Sequence, residues 1–208
     1  MSATGRSDVR VENDQYATPP WCVHVLLEEL KLPGGAWLEP CAGAGAIIDA
    51  VNMRRRDVAW TAVELDAKYQ PRLELTGADV KIVDFLKAPF MERPYPPLFV
   101  ASVLNPPYSI AEEVIRRCQK LAGITVALVR INFLASKQRA AWMRGWTPDI
   151  YVLPNRPSFT GKGTDATEYC WAVWDWRRVS GRGKIQILRE ASKAERKEYD
   201  ATTRLGGA

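Results

Sequence analysis

The chain has 208 residues, 47% of them hydrophobic and 25% charged, which is enough for one substantial core and too little for two full domains. No apolar run reaches the roughly eighteen residues of a membrane span, and the polar start from Met1 to Asn13 lacks the apolar stretch of a secretory leader, so a cytoplasmic protein is expected. The formal charge of +5 is concentrated at one end: residues 177–208 hold nine basic and four acidic side chains, whereas residues 1–176 are balanced at twenty of each.

Thr18-Pro19-Pro20 reads as a helix start with Thr18 as the cap, followed by Val23, Leu26, Leu27 and Leu30 at helical spacing until Pro33-Gly34-Gly35 breaks the pattern. A strand is expected over 36–38, a glycine turn at 41–45 and a helix from Ala46 to about Arg55. Further strands are expected at 59–64, 80–83, 98–104 and 125–130, with a helix over 111–121 between the last two. That alternation predicts a doubly wound, mostly parallel α/β sheet. Ile150 to Leu153 and Glu168 to Trp176 read as a closing antiparallel hairpin around a polar loop, 154–167. Trp171 lies on one face of the last strand and Trp174 with Trp176 on the other, a pattern of core packing. The expected organisation is a flexible N-terminus over 1–13, a single folded domain over 14–176, and a basic tail over 177–208.

Cys22, Cys41, Cys118 and Cys170 show no CxxC spacing and His24 is the lone histidine, so neither a metal site nor a disulfide framework is expected. The candidate chemistry gathers instead at strand ends. The first strand runs into Glu39-Pro40-Cys41-Ala42-Gly43-Ala44-Gly45, an acid followed by a turn whose glycines allow a ligand close to the backbone. Ile48 stands where a dinucleotide fingerprint would place its third glycine, which argues against a nicotinamide cofactor. Glu64 and Asp84 fall at the ends of the next two strands, the edge where open α/β sheets bind ligands. A carboxylate at Glu64 suits a ribose diol, and Asp84 with Phe85 suits an adenine amine and ring face. Solvated strand ends are the plainer reading of both acids.

Asn105-Pro106-Pro107-Tyr108 follows the fourth apolar strand directly. With it the sequence resembles the class I amino-methyltransferases, above all the DNA adenine-N6 methyltransferases, in which such a tetrapeptide is the catalytic loop. An aromatic amine is a poor nucleophile because its lone pair is delocalised. Two acceptors held against its hydrogens, the Asn105 side-chain oxygen and the Pro106 carbonyl, would localise that pair, while the prolines stiffen the loop and Tyr108 offers a stacking face. The resemblance extends to Asp14 through Trp21, to Val129 through Leu134, and to Arg156 through Asp165 with Trp171 and Trp174, where it is closest to small phage-associated adenine methyltransferases.

The resemblance implies the class I methyltransferase (Rossmann-like) fold, S-adenosylmethionine as cofactor and DNA as partner, with RNA as an alternative. It implies a cofactor site of Tyr16, Thr18, Glu39, Pro40, Cys41, Gly43, Gly45, Glu64, Asp84, Phe85 and Asn105, with Thr18 at the methionine end. The locally basic stretch 123–164 adds Arg130, Lys137, Arg139, Arg156, Phe159 and Lys162 as nucleic-acid contacts, with Phe159 in a glycine-containing loop able to fill a vacated base stack. No segment is long enough for a dedicated target-reading domain, so weak sequence discrimination is expected. Methyl transfer to RNA adenine or to protein glutamine uses the same acceptor chemistry, and a binding module that has lost catalysis is the reading of a different class; a binder has no need of Glu39, Glu64, Asp84 and Asn105 together.

Overall fold

The computed structural model describes residues 17–90, 92, 95–159, 165–178 and 183–197. Five parallel strands, β1 (Gly35–Pro40), β2 (Val58–Glu64), β3 (Asp79–Ile82), β4 (Phe99–Leu104) and β5 (Ala122–Arg130), are separated, among the described residues, by helices everywhere but between β3 and β4. The helices are α1 (Pro20–Glu29), α2 (Ala46–Asn52), α3 (Gln70–Glu74), α4 (Ala111–Leu121) and α5 (Ala140–Gly145). Three more strands, β6 (Asp149–Val152), β7 (Tyr169–Asp175) and β8 (Ile185–Ile187), complete an eight-stranded sheet in the order β3-β2-β1-β4-β5-β7-β6-β8.

The hairpin of β6 and β7 forms as expected, but β7 inserts between β5 and β6 and runs antiparallel to both. The reason is burial. Six of the seven β7 residues are buried, a run that needs neighbours on both edges and both faces. Period-two alternation sends Trp37 to one core and Leu38 to the other, and likewise Trp171 and Trp174. Trp171 Nε1 donates to the Cys22 carbonyl of α1 at 3.0 Å, and Trp174 stacks on Trp142 with ring centroids 5.4 Å apart. Trp176, beyond the strand, is exposed and not a core residue.

Helix α4 shows why the layer holds. Val114, Ile115, Cys118 and Leu121 face the second core, while Glu112 and Glu113 in the first turn and Lys120 in the last suit the helix dipole. Two boundaries depart from the sequence reading. Pro19, not Thr18, is the cap of α1, and Thr18 is instead a buried residue just ahead of the helix. Part of the expected tail is folded: β8 pairs with β6, and Leu188 and Ala191 enter the first core. Arg189 then clamps this segment to α1, its guanidinium meeting Glu28 at 2.6 Å and Glu195 at 2.9 Å. Among the described residues no helix is long and apolar enough to cross a membrane.

Candidate active site

β1 turns into α2 on one side of the sheet and β4 into α4 on the other, so a crevice opens at their carboxyl ends, the topological switch point of an open α/β sheet. A cavity of about 930 Å³ occupies it. From the α1 end it is lined by Thr18, and from the β1 turn by Glu39, Cys41 and Gly43; Glu64, Asp84 and Phe85 follow from β2 and β3, and Asn105 and Pro107 from β4. Residues from four separate strand ends thus meet on one space.

The acids there are not equivalent. Glu39 is 3% exposed, and burial pushes its carboxyl well above the usual carboxylate range against a hydrogen bond with the Ile48 backbone. Its Oε2 is buried and has no partner in the protein, an arrangement that costs stability unless a ligand completes it. Glu64 is equally buried, yet its carboxylate is held by backbone: Oε2 accepts from Gly43 N at 2.7 Å, and Oε1 from Leu65 N at 2.8 Å and Asp66 N at 2.9 Å. It therefore ties the glycine turn to the end of β2. Asp84 is more open, and its pairing with Lys87 at 3.0 Å, with an amide from Leu86 at 3.0 Å, holds its carboxyl below the usual range.

Local conformation explains the turn. Gly43, which lines the cavity, has φ +53 and nothing within 4 Å of where a Cβ would stand. Cys41 takes φ +58 without being glycine, and burial keeps its thiol protonated by raising it far above its ordinary value. Gly45, at φ +80, caps α2, and a Cβ would lie 2.9 Å from Thr76 Cγ2.

In the tetrapeptide, Asn105 and Pro107 line the cavity, and the Pro107 carbonyl accepts from Ile110 N at 3.2 Å as the chain enters α4. Pro106 is buried and Tyr108 half-buried; neither lines the cavity. The Tyr108 hydroxyl lies 2.7 Å from that of Tyr169, and the Arg130 guanidinium sits over the Tyr108 ring, 4.0 Å from its centroid.

No protein-family profile and no curated protein matches the chain. Solved structures do. A proposed RNA methyltransferase from Pyrococcus horikoshii superposes with TM-score 0.61 at 15% identity, covering 81% of this chain and 88% of that one. A proposed class I S-adenosylmethionine-dependent methyltransferase from Listeria monocytogenes gives 0.60 at 11% identity, covering 95% and 72%. A 23S ribosomal RNA methyltransferase gives 0.51 at 18%, covering 92% and 80%. The fold is that of the class I methyltransferases.

Within that fold several expected site residues take other places. Pro40 and Gly45 do not line the cavity: Pro40 is buried as the last residue of β1, and Gly45 packs on Leu73 and Thr76. Phe159 is not an exposed stacking surface. It is 8% exposed in the first core, edge-on to Tyr169 with centroids 5.1 Å apart, because an apolar ring beside β7 is better covered than wet. Arg139 is engaged by the fold, donating to the Phe133 carbonyl at 2.9 Å with its guanidinium 4.2 Å from that ring. Arg156 is exposed and pairs with Glu168, its Nε 3.0 Å from Oε1, and Lys137 is exposed. Tyr16 and Lys162 lie outside the described residues.

The sequence reading also missed residues. Asp66, Tyr69, Leu86 and Ser109 line the cavity, and of these Asp66, two places after Glu64, carried a signal in its charge. Arg117 is buried on α4 and donates to the carbonyls of Phe85 and Ala88, its guanidinium 5.2 Å from the Phe85 ring. It fixes the loop after β3, which presents Asp84 and Phe85, and nothing in its charged neighbourhood distinguished it from a solvated arginine. No cluster of potential metal ligands occurs among the described residues.

Proposed function

We propose that the chain transfers a methyl group from S-adenosylmethionine to the exocyclic N6 amine of adenine in DNA. The observation that carries this reading is that Asn105 and Pro107 of the tetrapeptide line the same cavity as the strand-end acids Glu39, Glu64 and Asp84. The residues present suit the cofactor. The cavity falls within the roughly 300–1,000 Å³ of small-molecule sites, Gly43 leaves room at its wall, and the open Oε2 of Glu39 offers a buried polar partner. Thr18 and the 41–45 turn would hold the methionine end, Glu64 the ribose, and Asp84 with Phe85 the adenine. Bound there, S-adenosylmethionine supplies a methyl group activated by a sulfonium sulfur.

The chain's own part is to make a weak nucleophile reactive. Asn105, which lines the cavity, accepts an amine hydrogen through its side-chain oxygen, and the Pro106 carbonyl, set back from the cavity in the same loop, is assigned the second, so that the nitrogen lone pair is drawn out of the ring toward the methyl donor. Pro106 and Pro107 fix the loop in advance, so that this geometry is not assembled at the moment of reaction. Tyr108 supports the acceptor ring. Exposed Lys137 and Arg156 contact phosphates without reading bases, which favours weak sequence discrimination. An adenine in RNA is the second reading, favoured by structural neighbours described as RNA methyltransferases.

Incubating the chain with methyl-labelled donor and a panel of duplex DNA, RNA and protein tests the proposal. Label is expected in DNA and greatly reduced with Asn105→Ala. Label confined to RNA or to protein, or none with any acceptor, would refute it.

A further inference from the structure

Arg130 ends β5 and Tyr169 begins β7, and the two are directly paired across the strands, which places both side chains on one face. Tyr108 comes to the same place from the loop after β4. Arg130 Nε donates to the Tyr169 hydroxyl at 3.0 Å while its guanidinium covers the Tyr108 ring at 4.0 Å. The Tyr169 hydroxyl donates its single proton to Asp165 Oδ2 at 2.7 Å, and Arg130 Nη2 lies 3.5 Å from the same oxygen. The proton count then settles the remaining contact. With its own hydrogen given to Asp165, the Tyr169 oxygen must accept from Tyr108, 2.7 Å away, as well as from Arg130.

Each hydroxyl in this chain therefore has a defined direction, and the hydrogen bond and the guanidinium together fix the Tyr108 ring in both tilt and height. Asp165 is also tied back into its own loop, accepting from Thr167 N at 3.2 Å and donating its amide to the Pro157 carbonyl at 2.9 Å. Burial raises the Tyr169 hydroxyl far above its ordinary value, so it stays a donor. A network so fully satisfied orients rather than conducts, since none of its members lines the cavity.

We infer that Arg130, Tyr169 and Asp165 are positioning residues for Tyr108, holding the aromatic ring of the tetrapeptide in one orientation and linking it to Pro157 and Thr167 through Asp165. The guanidinium denies one ring face to the acceptor, so Arg130 acts within the protein rather than on a phosphate. The inference rests on the methyl-transfer reading, and its test is built to separate the two.

The full chain is compared with Tyr169→Phe, which removes one oxygen and keeps the ring packed on Phe159, and with Arg130→Met and Arg130→Lys. Ring-labelled tyrosine NMR, with the Tyr108 signals assigned from Tyr108→Phe, should show those signals displaced in Tyr169→Phe and Arg130→Met. Donor affinity by calorimetry should stay within about twofold, while turnover on duplex DNA falls by about tenfold to a hundredfold, the scale of mispositioning near a reacting group. Arg130→Lys, which keeps charge but loses the planar fork, should recover only part of the rate. Unmoved Tyr108 signals, or displaced signals with wild-type turnover, would overturn the inference. Absence of transfer by the wild-type chain would overturn the methyl-transfer reading instead, and the ring signals alone would then support or overturn the hold on Tyr108.

Discussion

Glu64→Gln changes a residue that both ties the glycine turn to β2 and lines the cavity, where it is proposed to hold the cofactor ribose. In the wild type both carboxylate oxygens accept amides, from Gly43 on one side and from Leu65 and Asp66 on the other. A carboxamide has one oxygen. If that oxygen keeps Leu65 and Asp66, the amino group is set against the Gly43 N–H at a separation of 2.7 Å, donor against donor. Losing a hydrogen bond to a charged group costs about 1.5–3 kcal/mol, and at roughly 2–4 °C per kcal/mol for a domain of this size the thermal midpoint should fall by about 3–12 °C. The lower part of that range is favoured because Gly43 is only partly buried and water can take the freed N–H. The same change releases the glycine turn, which lines the cavity and is proposed to hold the methionine end of the cofactor, so S-adenosylmethionine affinity should drop by about tenfold or more. Thermal unfolding by circular dichroism and titration calorimetry on the same sample read the two effects separately. A lowered midpoint with unchanged affinity would make Glu64 purely structural and refute its place at the cofactor, and an unchanged midpoint would refute the argument from its hydrogen bonds.

Gly45→Ala combines a left-handed φ with a 2.9 Å approach to Thr76, and should destabilise by about 1–3 kcal/mol in chemical denaturation; a neutral outcome would mean that α2 shifts freely. Asn105→Ala should lower turnover by about a hundredfold or more with donor affinity much less affected, and wild-type turnover would show that the tetrapeptide is only a stiff connection. Arg189 and the amide of Ser192 hold Glu195 at about 2, below its ordinary 4.5, so this pairing stabilises the fold above that value and is lost as pH falls toward about 2. The gap in thermal midpoint between wild type and Arg189→Gln should therefore be small, because the pair is exposed, and should close over that acid range; a gap that stays constant with pH would contradict it.

What was legible in the sequence was what strand periodicity and strand ends carry. Glu39, Glu64, Asp84 and Asn105 each follow an apolar run, and a parallel sheet brings such ends to one edge whatever the intervening helices do. The order of the last strands was not legible, because chain order places β7 at the edge and only its burial on all sides moves it inward. β8 escaped notice as three residues, Ile185–Ile187, within a charged segment whose support comes from β6 and from the Arg189 clamp. Arginines show how little charge alone says about a residue's place. Sequence shows the charge and not the partner: Arg130, expected at a phosphate, covers the Tyr108 ring, and Arg117, not singled out from sequence, is buried against Phe85 and Ala88. Phe159 was drawn toward function by nearby Gly161 and Gly163, although the ring itself belongs to the core.

The central claim concerns one atom, and it is tested most directly by digesting duplex DNA to nucleosides after reaction with the chain and S-adenosylmethionine, and identifying the methylated product by mass spectrometry. N6-methyldeoxyadenosine, spread over many sequence contexts and greatly reduced with Asn105→Ala, is the predicted result. Methyl groups found only on cytosine, on RNA or on protein, or none at all, would contradict it.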